Sequence, residues 1–323
     1  MSAGDPTCRW ATPEDLPRLE AFWRAQFGAD SIQALPGRCA WLFAGQPRGL
    51  QVALAEVEGE LVAACGHLVM TLRLPDVGPR DAAFGIDFMI SPAYRRRGLG
   101  SRILDLRLER FPLVLSTGQS PAMAALYRER GAVDLGQFRL ARSRHRPSLS
   151  GPPRAILRDL AISLAGRRRR GAQCRRERLA ARPASGLAAD LPGADPDWLG
   201  WRFAGPVYAD HDFWRLEADG AAGLLISRHD AGGEVLLHLE PAAPRAALLA
   251  AAAATSPAPA LNALVAGDRL ARDFAAAGFL LRPWGAHLIG MTQHADLARI
   301  LLPGSIDLFA SAADADLLRR PAG

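Results

Sequence analysis

Residues 84–100 read Phe-Gly-Ile-Asp-Phe-Met-Ile-Ser-Pro-Ala-Tyr-Arg-Arg-Arg-Gly-Leu-Gly, and no other stretch narrows the possibilities for this chain as much. An apolar strand runs into a short basic turn with two glycines, and a helix follows at once. That layout turns a row of free backbone N–H groups and the positive end of a helix dipole toward an anion. Gly98 and Gly100 carry no Cβ, so a phosphate has close access to the main chain there. Arg95, Arg96 and Arg97 add formal charge at the rim. The turn is not a dinucleotide fingerprint, because its glycines are too few and arginines crowd it. It also lacks the Gly-Lys-Ser/Thr ending of a nucleoside-triphosphate loop.

The elements around this turn follow a readable order. Arg9-Trp10 suits a short strand, Thr12 an N-cap and Pro13 a first helical position. Leu16, Leu19, Phe22, Trp23 and Phe27 then fall at helical spacing. Val52–Val57 and Leu61–Leu74 flank Glu58-Gly59 and predict a hairpin. Ala82–Ile90 is a strand, a helix runs from the basic turn to about Arg110, and Leu113–Ser116 is a short buried strand. Pro121–Arg130 closes the series as a helix with Gly131 at its end.

From Arg95 the turn spells Arg-x-x-Gly-x-Gly, and in this setting it resembles the pyrophosphate loop of the GNAT-type N-acetyltransferase superfamily. Ser120-Pro-Ala-Met-Ala-Ala-Leu-Tyr127-Arg-Glu-Arg-Gly131 resembles the same family's Asn-x-x-Ala-x-x-Leu-Tyr-x-x-x-Gly helix. The resemblance implies acetyl-CoA as co-substrate and a mixed α/β sheet flanked by helices. Its diphosphate would meet the main-chain amides of Arg96, Arg97, Gly98, Leu99, Gly100 and Ser101, with Arg95 alongside. Met89 and Ile90 would offer backbone groups to the pantetheine arm. Ser120 stands where the family has Asn, with a shorter reach. Tyr127 matches the family tyrosine that protonates the departing thiolate; free phenols titrate near pH ~10, so a tyrosine is a proton donor at neutral pH.

Two further polar residues interrupt apolar strands. Asp87 alternates away from Ile86, Phe88 and Ile90. It is either a base that takes the amine's proton, directly or through water, or the partner of a nearby arginine. His67 is either a base or substrate contact, or a satisfied structural residue. No grouping of His, Cys and carboxylates has metal-site spacing, and no nucleophilic triad pattern occurs, so no metal is expected.

The chain has 323 residues, enough for two domains, and 49% of them are hydrophobic. No run of about 18 uncharged apolar residues occurs, and the N-terminus has no signal pattern. Cys8, Cys39, Cys65 and Cys174 include no Cys-x-x-Cys pair. Reduced thiols and a cytoplasmic location are the expectation. All 39 basic residues are arginine. Residues 139–182 hold 14 of them against Asp159 and Glu177, a local +12, so the rest of a chain that totals +6 is acidic. Nucleic-acid binding is disfavoured, since no aromatic residues interleave with Arg167–Arg178. That run is either a solvated linker face or a contact for anionic lipid or polysaccharide, with an amphipathic helix around Ile156, Leu157, Leu160 and Leu164 beside it.

Beyond the arginines the chain repeats itself. Trp41-Leu-Phe43-Ala-Gly45 returns as Trp201-Arg-Phe203-Ala-Gly205, Ile90-Ser-Pro92 as Leu239-Glu-Pro241, and Leu126-Tyr127-Arg-Glu-Arg-Gly131 as Asp273-Phe274-Ala-Ala-Ala-Gly278. Three matches in order predict a tandem duplication. The second copy has no glycine in Ala242-Ala-Pro-Arg245, and Phe274 has no proton to give. The expected organisation is a catalytic GNAT-like domain over 1–143, an Arg-rich linker over 144–196 and a degenerate GNAT-like domain over 197–323. The expected activity is acetyl, or short acyl, transfer to a primary amine of a small molecule, sugar or peptide, by direct attack in a ternary complex. A non-catalytic acyl-CoA sensor or scaffold is the alternative. An aminoacyl-tRNA-dependent peptidoglycan enzyme fits less well, given the intact loop.

Overall fold

The computed structural model describes residues 5–74, 76–144, 153–154, 156–157, 160, 174–179, 195–204, 211–230, 233–240 and 245–309. The chain divides into two units, residues 1–135 with 287–303, and residues 136–286 with 304–323.

In the first unit, β1 (Thr7–Trp10), β2 (Val52–Val57), β3 (Glu60–Leu74) and β4 (Gly78–Ile90) pair antiparallel in that order. β5 (Leu113–Ser116) then lies parallel to β4, from Ala82↔Leu113 to Gly85↔Ser116. Apart from Glu56 and Ser116, β2 and β5 are apolar, and nearly all of their residues are buried. Helix α1 (Leu16–Phe27) buries Leu19, Phe22 and Trp23, and the Trp23 ring lies 4.9 Å from that of Phe43. Thr12 and Asp15 form a capping box ahead of it, in agreement with the sequence. α2 (Leu99–Arg110) and α3 (Pro121–Glu129) cover one face of the sheet.

The sequence boundary at residue 143 moves to 135, for a reason in the pairing. Strand β6 (Val133–Arg144) pairs with β11 (Ala260–Ala266) through residues 139–144, and from Gly136 on it belongs to the second unit. The free edge of β5 is taken by residues 289–291 of β12 (Leu280–Met291). Both units are therefore discontinuous in sequence.

In the second unit β7 (Cys174–Arg178), β8 (His211–Ala218), β9 (Ala221–Asp230) and β10 (Gly233–Glu240) pair antiparallel in turn. β10 pairs parallel with β11, and β11 pairs antiparallel with β6 and with β13 (Leu308–Phe309). The order of pairings matches that of the first unit, down to the single parallel pair. Helices α4 (Pro196–Ala204), α5 (Arg245–Thr255) and α6 (Asp268–Ala276) complete it, and α7 (Ala295–Ala298) belongs to the first unit.

The linker assigned to 144–196 is corrected by β7, a strand of the second sheet. Arg176 is not on a solvated face: it is buried in an ion pair with Glu234 and stacks 3.9 Å from the centroid of Trp214. Arg178 pairs with Asp212 and Arg175 with Glu177. Residues 167–170 lie outside the described residues. Of the amphipathic helix, the described residues 153–154, 156–157 and 160 are helical, and Leu157 is exposed.

Candidate active site

The basic turn begins with a 3-10 turn, Pro92–Tyr94. Arg96 then adopts φ +62° and Gly98 φ +77°, two left-handed residues separated by one. Such alternation points successive N–H groups to the same side. Gly98 is the N-cap of α2, and Arg102 N–H donates to Gly98 O at 3.2 Å to close the first helical turn. Among the described residues, nothing accepts from the N–H groups of residues 96–101. A Cβ at Gly98 would meet no atom within 4 Å, whereas one at Gly100 would stand 3.3 Å from Leu126 Cδ2. The first glycine thus leaves open space in front of the amides, and the second admits the neighbouring helix. The arginines are partly committed: Arg95 Nε donates to Ile90 O at 3.2 Å, and Arg97 lies 5.0 Å from the Tyr94 ring. The Ser101 hydroxyl accepts from Arg130, which also pairs with Asp105.

β4 runs five residues past its last pairing with β5, so the two strands part after Gly85 and Ser116. Within that stretch the register with β3 slips between Ala64 and Gly66, and Asp87 sits at φ +51°. This bulge corrects the strict alternation expected from the sequence. Ile86 shares a face with Met89, and Phe88 and Ile90 pack on the other face with Cys65 and Leu99. Ser91 N–H donates to Val62 O, which fixes the ladder here: Met89 bonds toward β3, while Phe88 C=O and Ile90 N–H turn away, toward the gap. Of the two residues assigned backbone contacts, Ile90 faces the gap and Met89 does not; Phe88 is the one the alternation missed.

Asp87 accepts from Arg38 Nη1 at 2.6 Å and from Gln33 Nε2 at 3.2 Å. Its backbone carbonyl accepts from Trp23 Nε1 at 2.9 Å. Both side chains of the ion pair are buried, at 2% and 6% exposure. Of the two readings left open, the structure contains the paired one. Arg38 and Gln33 had no signal in the sequence, since neither belongs to a periodic pattern.

His67 is fully buried and its Nδ1 lies 3.2 Å from Gln51 O. Burial, and then the charge of Arg107, push its pKa well below the usual histidine value. A neutral, enclosed imidazole is the structural one of its two readings.

Tyr127 is 2% exposed, and its hydroxyl accepts from Arg107 Nη1 at 2.9 Å. Arg107 is itself 1% exposed. It occupies a place in the apolar stripe of α2 between Ile103, Leu104 and Leu108, where periodicity predicts a hydrophobic side chain. A Cβ on Gly85 would overlap Nη2 of Arg107, so the guanidinium lies directly over the bare backbone of β4. Ser120 caps α3, its hydroxyl accepting from Met123 N–H at 3.3 Å. That cap explains the serine in structural terms. Among the described residues no group of three or more His, Cys, Asp or Glu could hold a metal ion, and no helix is long and apolar enough to cross a membrane.

The first unit has relatives among known proteins. Residues 16–131 match the model of the Acetyltransferase (GNAT) family. That stretch, about a third of the chain, is similar to a GNAT acetyltransferase domain. Solved structures agree on the fold. A GCN5-related N-acetyltransferase from Kribbella flavida is similar at 17% identity and TM-score 0.60, over 93% of this chain and 74% of that one. A GCN5-related N-acetyltransferase from Anabaena variabilis gives 11% identity and TM-score 0.60, over 92% and 75%. Eis1 from Mycobacterium abscessus gives 15% and 0.54, over 92% and 76%. No curated protein matches the chain. The GNAT domain supports acyl transfer as its general chemistry, and its span contains the turn, the gap and Tyr127.

Proposed function

We propose that the protein transfers an acetyl or short acyl group from CoA to a primary amine, with the chemistry in the first unit. The carrying observation is the row of uncommitted amides at residues 96–101, at the start of α2 and just past the point where β4 and β5 part. Those amides and the α2 dipole suit the diphosphate of acetyl-CoA. The gap, with Ile90 N–H and Phe88 C=O turned into it, suits the pantetheine arm, for which extended backbone is a natural partner. Arg95–Arg97 stand at the rim, and Ser120 holds the start of α3 rather than the cofactor.

The amine attacks the thioester directly, without a covalent acyl-enzyme, and Tyr127 protonates the sulfur as it leaves. Asp87 does not take the amine's proton in this reading, because its oxygens are occupied; it fixes the bulge that opens the gap. The proton leaves through water. The second unit is a degenerate GNAT-like copy, a duplication supported by its matching order of strands. A cytoplasmic location fits the scattered thiols.

Thiol release from acetyl-CoA over a panel of amines, run beside an acetyl-CoA titration, tests the proposal. Turnover with at least one amine is expected. Tyr127→Phe should lower kcat by about 100-fold, within the range of general acid catalysis, with acetyl-CoA affinity little changed. The occupied carboxylate of Asp87 favours one second reading, an acyl-CoA sensor without turnover. Tight binding with no thiol release on any amine would select it.

A further inference from the structure

Arg107 breaks the pattern of its helix and gains little stability by doing so. Its Nε and Nη2 have no hydrogen-bond partner among the described residues; only Nη1 is used, on the Tyr127 hydroxyl. A buried guanidinium with two orphaned nitrogens is costly, since desolvation is not repaid by bonding. The cost is compounded by Gly85, a position held bare to make room for it.

The second unit shows that the fold does not require this arrangement. In α2 the pair Ile103-Leu104 is followed three residues on by Arg107; in α5 the pair Leu248-Leu249 is followed by Ala252. Tyr127 has its counterpart in Phe274. The last residue of β10 before its own register slip, on the face that carries α5 and α6, is Leu236. Ala252, Phe274 and Leu236 all belong to one apolar cluster. A shared architecture therefore packs these places with apolar groups when no chemistry is asked of them.

We infer that Arg107 is the positioning residue of the acid, holding the Tyr127 oxygen so that its proton points to the leaving sulfur and neutralising the phenolate that transfer creates. The inference rests on the acyltransferase reading above. In the step, the amine lone pair forms the C–N bond and the C–S bond breaks with its electron pair on sulfur. The Tyr127 proton passes to that sulfur. The phenolate recovers a proton from water as the amine loses its own to water. Arg107 donates to the tyrosine oxygen throughout, leaving the O–H free to act as donor. Gly85 is part of the device, since any side chain there would push the guanidinium off the hydroxyl.

Arg107→Met, Arg107→Lys, Gly85→Ala and Tyr127→Phe, together with the Arg107→Met/Tyr127→Phe double variant, test this. Thiol release is measured both with amine and with water as acceptor, so that the assay does not depend on knowing the acceptor. Arg107→Met should lower kcat by about tenfold or more, with KM for acetyl-CoA within about twofold, as loss of one preorganised donor does. Its Tm should not fall, since a costly buried charge has been removed. Arg107→Lys should restore part of kcat, and Gly85→Ala, with Arg107 and Tyr127 intact, should reproduce the loss. In the Tyr127→Phe background Arg107→Met should cost nothing further. A second loss multiplying the first, or an unchanged kcat in Arg107→Met while Tyr127→Phe is crippled, overturns the inference alone. If Tyr127→Phe keeps full turnover, or no thiol is released at all, the acyltransferase reading falls and takes the inference with it. Should Arg107→Met fail to fold, Gly85→Ala decides by the same split of kcat from KM.

Discussion

At the end of α3 the chain places Tyr127, and at the end of α6 it places Phe274. The two helix ends are built alike: Ala132 N–H donates to Tyr127 O at 2.9 Å, and Phe279 N–H to Phe274 O at 3.0 Å. Gly131 and Gly278 follow at φ +75° and +88°. What differs is what the rings meet. Tyr127 meets a buried guanidinium, while Phe274 meets Phe279 and Phe309. The same contrast holds at Arg38, in an ion pair with Asp87, against Trp198, which stands three residues before Trp201 as Arg38 stands three before Trp41, and packs on Trp201 and Phe203. One architecture thus accepts either filling at these two places, while elsewhere the second unit buries an ion pair of its own, Arg176 with Glu234.

The comparison can be broken most severely at Arg38. Arg38→Ala leaves Asp87 buried without its cation and should destabilise the protein by about 3–5 kcal/mol in urea unfolding. A loss under 1 kcal/mol, read as about the value of an exposed pair, would mean that Asp87 is in fact solvated. Next is Gly98→Val, which places a β-branched side chain in front of the free amides at a left-handed φ. It should weaken acetyl-CoA binding by about 100-fold or more, since hydrogen bonds to a charged group contribute about 1.5–3 kcal/mol each. The fold should survive, because the site is open; calorimetry with unchanged affinity would refute the diphosphate assignment. Phe274→Tyr then asks the reverse question. Its hydroxyl enters an apolar cluster and should cost about 1–3 kcal/mol, with thiol release unchanged; a gain in activity would show the second unit to be catalytic.

The smallest effect concerns His67, whose place in the second unit is taken by Ser227 if the offset of 160 residues is kept. Its folded pKa lies well below the unfolded one, so the unfolded chain binds the extra proton first. Stability from this group is whole above pH ~6.5 and is lost as pH falls below it, at up to about 1.4 kcal/mol per pH unit. Urea melts between pH ~7 and ~5 should show that slope, and His67→Gln should remove it. An identical slope in the variant would assign the acid loss to other groups, such as Asp15, which the hydrogen bonds from Arg9 hold below the usual carboxylate range.

Local patterns wrote much of the first unit into the sequence. Strand β2, helix α2 and strand β5 appear where alternation, apolar spacing and caps put them, and the basic turn has the free amides its glycines announced. Asp87 was misplaced because a bulge depends on the partner strand, which no period in β4 reveals. β7 was hidden because its arginines looked like solvated charge, whereas Arg176 is buried by Glu234 on a strand far along the chain.

By itself, then, the sequence determined the glycine-bearing basic turn and the helix that carries Tyr127, because turn chemistry and helix periodicity are local. Only the tertiary structure decided which strands complete each sheet, that Asp87 is spent on Arg38, and that Tyr127 has Arg107 at its oxygen. Those are pairings between residues 20 to 170 positions apart, fixed by packing and desolvation rather than by neighbours in the chain.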